Sequence, residues 1–190
     1  MTPPPEHEGA SGAPGKSNPR TVAMILGGVG CGLLIICGVL GVAVLIPVFA
    51  QARESAWTTG CASNLKRLST ASLIYAADNN DRLPPSPWMD AIRNDVRGSE
   101  RTYHCPKVRS QQNGGFGYAF SCLTIGKRTP EFDVPSQQVM ILDSSKLERN
   151  AVSDPSLLPS PARHQRGKVR GNNVVYLDGH TSLVEFPQVD

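Results

Sequence analysis

His164, Asp178, His180 and, in Leu142-Asp143-Ser144-Ser145, Asp143 are the residues whose types could do chemistry. Imidazole and carboxylate meeting at a hairpin end can hold a divalent cation. Asp178-Gly179 also suits a tight turn, because Asp tolerates and Gly prefers positive φ. The turn accounts for the residues without an ion, with His164 as a loop residue bonded to backbone, so we expect no metal and no cofactor. Ser144 or Ser145 with His164 and Asp178 would supply the side chains of a hydrolase. No Gly-x-Ser-x-Gly elbow or other nucleophile context accompanies them, so no catalytic residue is assigned and an enzyme is not expected. Arg163, Arg166, Lys168 and Arg170 form a basic stretch that could meet DNA or anionic lipid. Without interleaved aromatics it reads as a solvated loop rather than a nucleic-acid site.

Cys61, Cys105 and Cys122 fall in the part of the chain that would be soluble, so one bridge leaves one thiol over. Cys61 to Cys105 is the pairing we expect, with pairings through Cys122 left open. No Cys/His spacing resembles a zinc site. The net charge of +3 is too small a bias to argue for nucleic acid, and it lies beyond residue 50, since Glu6 and Glu8 balance Lys16 and Arg20.

These groups must be positioned by about 140 residues, because the first 50 have other work. Residues 1–20 are Pro, Gly and Ser with little to bury, and read as a disordered tail. Thr21–Ala50 carries no charge. About 30 residues at ~1.5 Å rise extend about 45 Å, against ~30 Å of bilayer hydrocarbon. That is long for a cleaved signal peptide, whose apolar core is about 7–15 residues, so we read a retained single span. Gly28-x-x-x-Gly32 is a small-residue pair that would let a second helix approach.

Past Pro47, which should bend the rod, Trp57, Cys61, Leu65, Leu68, Ser72 and Tyr75 recur at helical spacing, with Leu73 and Ile74 adding to the stripe. The helix should stop near Asp78-Asn79-Asn80-Asp81, before Pro84-Pro85. A short helix is expected over 87–96, an extended approach to a turn over 103–106, and strands over 116–120 and 138–143. A final hairpin should close on Asp178-Gly179 by a two-residue turn. The class is α+β: a long N-terminal helix, transmembrane then amphipathic, packed on a small antiparallel sheet.

Taken in order, Pro47-Val-Phe-Ala-Gln-Ala-Arg-Glu54, Cys61-Ala-Ser-Asn-Leu-Lys66, Tyr75-Ala-Ala-Asp-Asn-Asn80, Leu83-Pro-Pro85, Tyr103-His-Cys-Pro106 and Asn173-Val-Val-Tyr-Leu-Asp-Gly-His180 resemble the bacterial pilin-like proteins. Those proteins have a prepilin-type N-terminus and a C-terminal His-x9-Asp-Gly tail. The resemblance implies a type IV pilin or type II secretion pseudopilin fold, in which His164, Asp178, Gly179 and His180 belong to the tail motif. It implies a structural protein of the inner membrane, N-terminus cytoplasmic and residues 51–190 extracytoplasmic, with other pilin-like subunits as partners. The alternative is a membrane-tethered binding module outside any filament. Two departures stand out: the span has no acidic residue and no Gly-Phe cleavage pair, and thirteen residues separate His164 from Asp178.

Overall fold

The computed structural model describes residues 19–96, 98–111 and 114–185, and for most of residues 19–36 the backbone alone. The expected tail therefore lies outside the described residues, apart from residues 19 and 20, which are already helical. The chain divides into two units, Met1–Val48 and Phe49–Asp190. Helix α1 (Pro19–Asp78) contains Pro47 without interruption of its helical backbone. In the first unit its apolar residues from Val39 to Val48 are all more than half exposed. One stretch of α1 is long and apolar enough to cross a bilayer, and none of it is buried.

In the second unit, α1 buries a stripe: Thr58, Cys61, Leu65, Leu68, Ser69, Ala71, Ser72 and Ala76. The expected stripe is right at its centre and wrong at its ends, since Trp57 and Tyr75 are half-buried and Ile74 is exposed. Most of those buried positions hold small residues, with Leu65 and Leu68 as the large side chains of the stripe. The helix stops after Asp78 because Asn80 and Asp81 turn left-handed, at φ 56° and 61°. Side chains that bond locally make this conformation tolerable. The Ala76 carbonyl accepts from both the Asn79 N–H, at 3.0 Å, and the Asp81 N–H, at 2.9 Å, which closes the last turn.

Two short helices follow, α2 (Trp88–Ala91) and α3 (Pro106–Gln111). The first is shorter than the expected 87–96. The extended reading of 103–106 holds at His104 and differs at its ends: residues 100–103 form a 3-10 turn, and Pro106 opens a helix, a position where its missing N–H costs nothing. Trp88 fills the core edge-on to Phe120 and donates its indole N–H to the Ala151 carbonyl at 3.0 Å.

The sheet comprises β1 (Tyr118–Ser121), β2 (Val139–Asp143), β3 (Val152–Ser153), β4 (His164–Arg166), β5 (Val169–Tyr176) and β6 (Thr181–Glu185). It is mixed rather than antiparallel, because β3 runs parallel to β1. The basic stretch is not a loop. It is the β4–β5 hairpin, with Gly167 at φ +62° in the first turn position, as a type II′ turn uses. The last hairpin also differs from expectation. Tyr176 N–H bonds the His180 carbonyl, so three residues, Leu177, Asp178 and Gly179, make the turn. Gly179 takes φ +86°, the left-handed step of that longer loop.

One edge of β5 carries β6 from Gly171 to Val175. The other edge is shared: Val174 and Val175 pair with β2, and Val169 to Gly171 pair with β4. The core between sheet and helix holds Leu65, Leu68, Leu83, Trp88, Met89, Tyr118, Phe120, Ile141 and Val175.

Cys61 of α1 and Cys105 before α3 form a disulfide, with Cα atoms 5.3 Å apart. Cys122 is exposed and free. In the chain-entropy account, a closure spanning 44 residues is worth about 4 kcal/mol. The variant C61A/C105A is expected to lose roughly 2–5 kcal/mol in denaturant unfolding and to lose its mobility difference between reducing and non-reducing gels. Equal stability of the wild type with and without reductant would count against the bridge.

Candidate functional site

Where β5 changes partner, between its β4-paired and β2-paired ends, Asn172 and Asn173 have no strand neighbour on the shared edge. Buried backbone groups cannot be left unpaired there without cost. Side chains take over. The Asn173 N–H donates to Asp143 Oδ2 at 2.6 Å. The Asn172 side chain accepts from the Arg163 N–H at 2.9 Å and donates to the Pro159 carbonyl at 2.9 Å.

Asp143, the last residue of β2, is fully buried. Arg163 Nη1 lies 3.5 Å from its Oδ1 and donates to the Gly117 carbonyl at 2.6 Å, while Nη2 donates to the Ser144 carbonyl. His164 Nε2 lies 3.2 Å from Asp143 Oδ2 and 3.7 Å from Cys105 Sγ. A buried carboxylate costs several kcal/mol unless it is paired and bonded, and the guanidinium and the Asn173 amide supply both. Arg163 therefore belongs to the interior, not to a solvated loop. Tyr118, also fully buried, has its phenol pushed well above the usual range, chiefly by burial and then by the Asp143 charge. The Tyr103 phenol is likewise raised, chiefly by burial.

The tail-motif residues do not converge. His164 joins Asp143, whereas Asp178 and His180 sit together at the β5–β6 turn. There His180 Nδ1 lies 2.6 Å from Asp178 Oδ1, and its ring stacks on Tyr176 at 4.2 Å. The His180 backbone N–H is the main influence holding the Asp178 carboxyl below its ordinary value. His164 pairs with Gly171, and about seven residues of extended chain, roughly 23 Å, lie between Gly171 and Asp178. Gly28 and Gly32 fall where only the helical backbone is described.

A hydrolase relay needs the carboxylate on one imidazole nitrogen and the nucleophile on the other. Here Asp143 and the Cys105 sulfur both face Nε2, and that sulfur is committed to a disulfide. Ser144 Oγ accepts the Lys146 N–H at 3.1 Å instead of meeting His164. Cys61, Cys105 and His164 place three ligand-type atoms within 4.8 Å of one another, yet disulfide sulfurs are not thiolate donors. The arrangement can hold strands in register, and neither Cys105 nor Ser144 is placed to act as a nucleophile for His164. Sequence reasoning missed Arg163 as a site residue. Gly167, four residues on, offers a turn residue but no flanking strand pattern, and nothing local points to Asp143 as the partner of Arg163.

Two outcomes follow from this geometry. D143N should lose about 3–5 kcal/mol of unfolding free energy because it strands Arg163, whereas D178N should stay close to wild type; equal losses would refute the division. The raised Tyr118 phenol makes the folded state hold a proton that the unfolded chain releases above roughly pH 10, so stability falls as pH rises past that point. Y118F should flatten this alkaline decline in urea titrations, and an unchanged slope would remove Tyr118 as its source.

Compared with known proteins, the chain matches no family model, no curated protein and no solved structure.

Proposed function

We propose that this chain is a single-pass, membrane-anchored structural protein of the pilin or pseudopilin type. One observation carries the reading: a single helix whose early residues, Val39 to Phe49, expose apolar surface, while Thr58 to Ala76 of the same helix bury a stripe against a sheet. Water does not favour such an exposed run, and lipid does. The first half serves as anchor, with Gly28 and Gly32 as a face for another span, and the globular part carries recognition surface. Support for the pilin type comes from the ordered motifs from Pro47 to His180 and from the helix-on-sheet class. Assembly into a type II secretion or type IV pilus-like fibre, and an inner-membrane location with the N-terminus in the cytoplasm, belong to this proposal. The structural role is also consistent with a buried Asp143–Arg163–His164 group that ties strands together.

A second reading, a tethered binding module outside any filament, is favoured by a half-open cleft of about 580 Å³. It is lined by Glu54, Lys107, Pro159, Arg163 and Arg170 among others. The N-terminus separates the two readings. Mass spectrometry of the membrane fraction should find a mature start near residue 26 if the chain enters a fibre; an intact tail of residues 1–20 would favour the tethered module.

Anchoring has its own test. V39R/V42R should cost roughly 5–7 kcal/mol of insertion and move the chain from the carbonate-resistant pellet to the supernatant. Retention in the pellet would contradict a span at this position.

A further inference from the structure

Three of the four cations on the β4–β5 hairpin remain without a task. Arg163 is held by Asp143, Gly117 and Ser144, but Arg166, Lys168 and Arg170 are exposed. No acidic residue occurs between Asp154 and Asp178. Glu54, which shares a cleft with Arg170, pairs with Lys107, and Glu185 stands opposite Gly171 across the β5–β6 ladder with no ion pair to the hairpin cations among the described residues.

The direction in which this hairpin points follows from contacts within Phe49–Asp190. At one end of β5, Arg170 shares a cleft with Glu54 of α1. In the middle, Asn173 Nδ2 reaches the Thr58 carbonyl at 3.4 Å. Beyond the other end, Asp178 and Gly179 share a groove with Lys66, Thr70 and Ala77. Strand β5 therefore runs in the same direction as α1, and the β4–β5 turn lies toward the Phe49 end of the helix. Gln165 gives a fixed point, since its carbonyl accepts from Thr58 Oγ1 at 3.1 Å. Thr58 lies about 12 Å along the helix from Ala50, the last residue of the uncharged run. The Gly167-Lys168 turn lies about two residues past Gln165, which takes up about 7 Å of that distance. The headgroup layer beyond the hydrocarbon is roughly 5–7 Å deep, so the basic tip falls at its level. Arg53 on α1, stacked 4.6 Å from the Trp57 ring, adds a cation and an amphipathic ring at the same height.

We propose that Arg166, Lys168 and Arg170, with Arg53, form a collar that binds the anionic phospholipid headgroups of the leaflet facing the globular part. The collar fixes how the sheet stands over the membrane. Exposed cations near a charged surface are attracted individually and act together, and screening by salt weakens them. This inference rests on the membrane-anchored reading above, and it holds for either orientation of the chain across the bilayer.

The test places the full chain in nanodiscs of phosphatidylcholine alone and of phosphatidylcholine with phosphatidylglycerol, and follows backbone hydrogen exchange. Amides of 163–170 should exchange at least about fivefold more slowly in the anionic discs, and the difference should vanish in high salt and in R166E/K168E/R170E. Unchanged protection of the β2 amides in that variant reports that it is folded. Equal hairpin exchange in both discs, with residues 26–46 protected, overturns the collar and leaves the anchor standing. Loss of protection over 26–46 in both discs overturns the anchor and the collar together. Duplex DNA that slows the hairpin in neutral discs more than anionic lipid does would assign the surface to nucleic acid and overturn the lipid contact.

Discussion

A single buried carboxylate, Asp143, sits where the sheet cannot complete its own ladder, and most of the globular part is arranged around satisfying it. Strand β5 serves two partners along one edge, and at the changeover its Asn173 N–H has only the Asp143 side chain to bond. That carboxylate in turn needs a cation, which Arg163 brings from the start of the β4–β5 hairpin. The groups that meet there come from different segments, Asp143 from β2, Arg163 just before β4, His164 from β4, Asn173 from β5 and Gly117 before β1, although Asp143 Oδ1 and His164 Nδ1 make no hydrogen bond among the described residues. Low dielectric makes these bonds strong once made and expensive to leave incomplete, so the four segments are bound to one register.

The helix enters this arrangement through sulfur rather than charge. Cys61 and Cys105 join α1 to the segment before α3, and Cys105 touches His164, so the covalent link and the ion pair meet at one point. Aromatics are few in this chain, at 6%, which leaves the core modest in apolar area. A crosslink and a buried polar group suit such a core, because both specify geometry where bulk hydrophobicity is limited. The same helix carries exposed apolar residues before Phe49 and a buried stripe after Trp57, so its sequence changes character near Gln51.

Several elements could be read locally because their causes are local. The end of α1 at Asn79–Asp81, the β2 strand and the turn at Asp178-Gly179 depend on residue types within a few positions of one another. The turn's length was misjudged by one residue because Tyr176 and His180, not Leu177 and His180, close the ladder. Helix α3 carries no signal in the sequence reading, which ends its extended approach at Pro106, although Pro at a helix start is no penalty. The β4–β5 hairpin was hidden by its charges: alternation of apolar and polar residues is the usual strand signal, and His-Gln-Arg lacks it.

The sequence by itself determined the long uncharged run, the amphipathic stripe that follows it and the final hairpin, since periodicity and turn chemistry act over short stretches of chain. Only the tertiary structure decided that His164 answers to Asp143 and not to Asp178, and that Arg163 faces inward while its three neighbouring cations face water. The reason is the partner change along β5: which side chains meet there depends on the pairing of strands distant in sequence, and no local pattern encodes that pairing.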